Sequence, residues 1–198
     1  MLLAPATALN RVLVWEDFKR RKMAAPSAGQ IAIAAQTAVG WTVAPADLKV
    51  RAVKGSKPVV YKLVQEPTTT VRLDGQKMWV ASFVFDDWPE SKREALLDHE
   101  QIHYLIGALS ARDYARDFAA IAANAYDSSE DGIEDIKQAM ERNSQARAQA
   151  LQDAYDDQTK HDPTGFKAEQ AKWKTAVVGA RTTGLRLRDS LRAASLIP

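Results

Sequence analysis

One stretch of this chain admits little besides a long helix. From Ser91 to about Tyr126, Leu96, His99, His103, Ile106 and Ser110 fall along one stripe, with Ile102 and Leu109 beside it. A fold has to cover that stripe with other elements, and the stripe carries two imidazoles. Residues 99–103 read His-Glu-Gln-Ile-His and use two of the three histidines in the chain. Side chains at i and i+4 stand one above the other on a helix, so His99 and His103 can face one metal ion. Glu100 lies about a third of a turn away and is placed to reach a water rather than the ion itself. This spacing on a helix is the signature of a zinc hydrolase site.

The flanking sequence predicts an α+β protein, with an N-terminal antiparallel sheet followed by long helices. Residues 1–88 read as β-rich. Strands are expected at Val12–Trp15, within Ile31–Val43, at Val59–Val64 and Thr68–Leu73, and at Lys77–Phe85 after an Asp74-Gly75 turn. The basic run 19–22 reads as a turn. Beyond Pro89 the pattern is helical through residue 178. Asp127–Asp131 caps a second long helix ending near Asp157, and Phe166–Val178 forms a third after a loop containing His161. Residues 1–178 are expected to form a single metallohydrolase domain and 179–198 a basic C-terminal tail.

Composition excludes several alternatives. There is no cysteine, which removes thiol catalysis, disulfides and thiolate zinc ligands. A net charge of +2 gives no reason to expect nucleic acid as a partner. No apolar run approaches the ~20 residues of a membrane span. The charge is uneven, however: residues 127–162 hold ten acids against four bases, and 167–192 seven bases against two acids. Docking of an acidic helical region beside a basic one accounts for this. The N-terminus lacks a basic n-region and a long apolar stretch, so no signal peptide is read.

A catalytic zinc site takes three protein ligands and keeps one position for water. Asp113 and Asp117 lie on a similar face but too far along the helix from His103. His161 is the leading candidate, since a helix antiparallel to the first can return the chain to the level of the motif. Glu130, Glu134 and Glu141 on the following helix are the alternative. The set expected is His99, His103 and His161 around one Zn2+ per chain, with Glu100 as general base. Tyr155, and secondarily Tyr104, are candidate donors to an oxyanion. The substrate expected is a protein or peptide.

The run Leu96-Leu97-Asp98-His99-Glu100-Gln101-Ile102-His103-Tyr104, with Ala111-Arg112-Asp113 behind it, resembles the bacterial predicted secreted zinc-dependent proteases. Three further pieces are similar and occur in the same order: Leu13–Phe18, Ala34–Thr37, and Tyr155–His161 with Gln170 and Trp173. The resemblance covers roughly residues 12–175. It implies a zincin-like peptidase with the motif on the first long helix, usually exported, and with the loop histidine matching His161. Asp162 stands where a glycine commonly follows that histidine. Without a signal peptide, a cytoplasmic or particle-delivered protein is the alternative to export. Two other functions fit the same residues: a zinc amidase acting on cell-wall or other non-peptide amides, and a phage or injection-particle structural protein with a structural metal.

Overall fold

The computed structural model describes residues 1–27, 33–44, 48–162 and 164–198. The architecture is α+β. In chain order the elements are β1 (Leu2–Leu3), α1 (Pro5–Ala8), β2 (Lys19–Arg21), β3 (Ala35–Gln36), β4 (Val39–Ala44), β5 (Val50–Ala52), β6 (Tyr61–Leu63), β7 (Thr68–Leu73) and β8 (Trp79–Ala81). Helices follow: α2 (Phe83–Asp86), α3 (Glu90–Ala123), α4 (Ser129–Arg142), α5 (Gln145–Thr159), α6 (Lys167–Thr183) and α7 (Leu187–Ala193).

Helix α3 is the axis of the molecule. Its middle, from Ile102 through Leu109 and on to Ala111–Tyr114, is buried on every side, as expected for a helix that has neighbours all round. The sheet β1-β7-β4 and helices α1, α4, α5, α6 and α7 all pack on it. In β7, Thr69, Val71 and Leu73 are buried while Thr68 and Arg72 are exposed, the period of a strand with one covered face. Its partner β4 runs antiparallel, with Trp41 opposite Val71. Close approach of β4 to α3 depends on Gly107: a Cβ there would lie 2.3 Å from Val39 Cγ1.

The second sheet, β2-β8-β3, departs from an all-antiparallel expectation because β2 pairs parallel to β8. Its strand β2 is the run read as a basic turn. Arg20 lies 3.9 Å over the Phe85 ring and Arg21 4.7 Å over Trp79, so aromatic faces hold these cations in a strand. The segment 12–15, expected as a strand, is irregular and leads into a short 3-10 turn at Trp15–Asp17. There the backbone N–H of Leu13 donates to Gln101 Oε1 at 2.7 Å, a side-chain substitute for a ladder bond. Within the strand expected at Ile31–Val43, residues 31 and 32 lie outside the described residues; the remainder forms β3 and β4. The strand expected at 77–85 is only 79–81, because Ser82 opens α2.

The helix expected from 127 to 157 is two helices. Asn143 leaves the helical conformation and donates to Asp117 Oδ2 at 2.6 Å, and Ser144 caps α5 by accepting from Arg147 N. The expected basic tail, 179–198, is a further correction. It completes α6 and forms α7, with Leu187 and Leu191 fully buried in the main core. Among its cations Arg186 bonds Asp117 of α3 and Arg192 lies near Asp189 of α7, while Lys174, earlier on α6, bonds Asp98 of α3.

Candidate metal centre

Residues 99–103 occupy the buried part of α3, with His99 2%, Glu100 3% and His103 8% exposed. The last two turns of α5 face them. Gln152 and Asp156 stand four residues apart on one face of that helix, so they meet the two histidines as a matched pair. Asp156 Oδ1 lies 3.3 Å from His99 Nε2 and 2.9 Å from His103 Nε2, and the two Nε2 atoms are 3.1 Å apart.

The outer nitrogens of the rings are held by amides. Gln152 Oε1 accepts from His103 Nδ1, and Gln152 Nε2 donates to the backbone oxygen of His103 at 2.9 Å. Gln170 of α6 plays the same part for His99, with Oε1 at 3.4 Å from Nδ1 and Nε2 donating to Ala95 O at 3.3 Å. Each amide donates elsewhere and so presents an acceptor to Nδ1, fixing the proton there. A neutral imidazole has a single N–H. In the neutral rings both Nε2 lone pairs therefore converge with a carboxylate oxygen, an arrangement that calls for positive charge, either a proton on Nε2 or a metal ion.

The donor set fits zinc. With bonds of 2.0–2.1 Å in a tetrahedron, neighbouring ligand atoms stand about 3.3 Å apart. The three edges here are 3.1, 3.3 and 2.9 Å. His99, His103 and Asp156 form the group whose ligand atoms all lie within 4.8 Å of one another among the described residues. The charges agree with this focus. Burial opposes ionisation of Asp156, but the bonds from His103 and His99 outweigh it and hold the carboxyl well below its usual range. Burial likewise works against protonated His103, yet the bond to Asp156 and the charge of Glu100 raise its pKa.

His161, expected as the third ligand, reaches the cluster through Asp156: its Nδ1 is 3.1 Å from the same Oδ1, and its side chain is 37% exposed. It gets there by an unusual backbone. Lys160 and His161 are both left-handed, at φ +53° and +51°, which folds the chain back over the end of α5. Asp162 then holds the loop, its Oδ1 accepting from Thr164 N and Oγ1 and from Gly165 N. Among the described residues, the group that could hold a metal ion therefore contains Asp156, with His161 bonded to it from the rim. The acids of α4 are elsewhere: Glu130 accepts from Ser129, Glu134 from Gln138, and Glu141 pairs with Arg147.

Glu100 lines the same cleft, and its Oε2 is buried without a hydrogen-bond partner. Tyr155 has a different place from the one expected. Its ring stacks on His99 at 4.6 Å and meets His103 edge-on at 4.9 Å, with Trp173 behind it. It is fully buried and does not line the cleft; its ring backs the two imidazoles, and its hydroxyl is buried without a hydrogen-bond partner. Burial pushes its hydroxyl far above the ordinary tyrosine range. Tyr104 donates to Ala8 O at 2.8 Å and belongs to the core.

The cleft measures about 370 Å³. One wall is the α3–α5 face with the ligand group and Glu100. The other is the edge of the sheets from Ala35 to Gly40, with Trp79 and the turn between β7 and β8. The sequence reading missed Asp156 and Gln152. Their i, i+4 spacing, with Asp156 five residues before His161, is the signal in the sequence that points to them. No known family profile, curated protein or solved structure matches the chain.

Proposed function

We propose that this protein is a zinc-dependent hydrolase of peptide bonds, held together at its site by His99, His103 and Asp156 in a zincin-like arrangement. The observation that carries the reading is the ligand-atom triangle of tetrahedral size beside a buried carboxylate with a free oxygen. Zinc bound there would activate water near neutral pH and polarise the substrate carbonyl. Glu100 takes the proton from the attacking water and passes it to the departing amine. Gln152 and Gln170 keep both Nε2 atoms unprotonated and aimed inward. Tyr155 and Trp173 back the rings and keep solvent from their far side. His161, at the exposed rim, is the side chain placed to bond a developing oxyanion.

The test is zinc content and hydrolysis measured together. Wild type should hold one zinc per chain, and Asp156→Ala should lose it. Glu100→Ala should keep zinc and lose hydrolysis by about 10²–10⁴-fold. Unchanged hydrolysis in Glu100→Ala removes it as the base. The polar lining of the cleft, with Gln36, Gln145 and Gln149 beside the site, favours one second reading, hydrolysis of a non-peptide amide. A purely structural metal is disfavoured by the open cleft in front of the group.

A further inference from the structure

Charge is distributed across the cleft in a way that the hydrolytic reading does not use. The helix wall contributes Glu100 and Asp156. The sheet wall contributes Arg72 and Lys77, with Asp74 as its one carboxylate. Two more cations stand behind that wall. Arg21 lies over the ring of Trp79, a lining residue, and Lys19 bonds Gln76 in the turn next to Lys77. Asp74 neutralises little of this: Arg72 Nη2 is 3.8 Å from its Oδ2, and its Oδ1 accepts from Gln76 N in the turn. Of the basic run of β2, Lys19 and Arg21 thus stand next to this side of the cleft, while Arg20 lies over Phe85.

The polar groups of this wall are donors as well. Gln36 Oε1 accepts from Trp79 Nε1 at 2.6 Å, which leaves its amide N–H groups for a ligand. We propose that the cleft selects acidic peptides, with substrate carboxylates paired to Lys77 and Arg72 while the scissile amide faces Glu100; this names the substrate class of the hydrolase proposed above and rests on that reading. A single-stranded nucleic acid is the poorer match. Trp79 is 7% exposed, with Arg21 over its ring and its N–H engaged, so it offers no open face on which a base could stack.

The experiment uses three labelled hexapeptides of matched length, one glutamate-rich, one neutral and one lysine-rich. Binding is measured by fluorescence anisotropy to the zinc-supplemented full-length Glu100→Gln variant, and cleavage with wild type. Lys77→Glu and Arg72→Glu are made separately; both residues are exposed, and circular dichroism checks each fold. The acidic peptide should bind about tenfold tighter than the basic one, as expected for two partly exposed ion pairs. The preference should shrink with added salt and invert in the charge-reversed variants. Equal binding of all three peptides, an unmoved preference in both variants, or tighter binding of a single-stranded oligonucleotide overturns the proposal. Acidic preference in binding without any cleavage supports the surface and defeats the peptidase reading. Cleavage indifferent to charge does the opposite.

Discussion

Helix α3 carries two buried clusters of charge, and they differ in how completely their members are paired. Two to three turns beyond the metal centre, Asp113 accepts from Arg112 and, at 2.7 Å, from the backbone N–H of Leu187. Asp117 accepts from Asn143, Arg142 and Arg186. Every carboxylate there has cationic and neutral donors, and the cluster ties α3 to α4 and to the start of α7. Around His99 the pairing is deliberately incomplete in physical terms. Asp156 Oδ1 is shared between the two rings, and Glu100 Oε2 has no partner. Burying unpaired polar groups costs stability, and such groups cluster where a ligand or ion can satisfy them. Full pairing ties helices together in the one cluster, and in the other a partnerless carboxylate oxygen lies in the cleft.

The largest effect that would sharpen this contrast is at Glu100. Its replacement by alanine should abolish most hydrolysis, about 10³-fold, while raising or leaving unchanged the unfolding free energy, because a buried unpartnered carboxylate disappears. Asp117→Ala should do the reverse. It should lower stability by about 3 kcal/mol in urea titrations, at the low end for a broken buried pair because Arg186 can turn to solvent. A loss below 1 kcal/mol would mean that the cluster is ornamental.

The Asp117 cluster also has a pH signature. Burial disfavours the ionised carboxyl, but the bonds from Arg186 and Asn143 prevail and lower its pKa from the model-peptide value of 3.8. A depressed folded-state pKa contributes stability that is complete above the unfolded value and is lost as pH falls through the folded one. Between about pH 5 and pH 2, wild type should therefore lose more stability than Asp117→Asn. Parallel curves for the two proteins would break the assignment.

Smaller effects come next. Gln152→Leu should weaken zinc binding about 10–100-fold in chelator competition, through loss of the Nδ1 acceptor. Gly107→Ala should cost about 1–2 kcal/mol, since the new methyl meets the stiff Val39 side chain one turn from His103. A neutral outcome would mean that β4 can withdraw from α3 freely.

Local signals made much of this legible. The helical span of α3, the strand at β7 and the histidine spacing are short-range patterns, and each is present in the structure, whereas the single stripe read on α3 gives way to burial on every side of its middle. What escaped the sequence depends on partners distant along the chain. The strand β2 reads as a turn until Phe85 and Trp79 lie beneath its arginines. The break at Asn143 follows from Asp117, 26 residues away. The tail reads as solvated until Leu187 and Leu191 are counted on a separate face from Arg186, Arg188 and Arg192. Asp156 was hidden for a different reason. A histidine five residues on, His161, is the more familiar zinc ligand, and only the left-handed turn at Lys160 shows that it arrives behind the aspartate.

His99 and His103 on one side and Asp156 on the other come from helices that meet only once the chain has folded. A cation shared among them has no comparable host in the denatured ensemble, so mass action transfers its affinity to the native state. At a free concentration a hundredfold above Kd the gain is about 2.7 kcal/mol. Thermal melting would then double as a readout of occupancy, with chelator and excess ion marking the two ends of the scale.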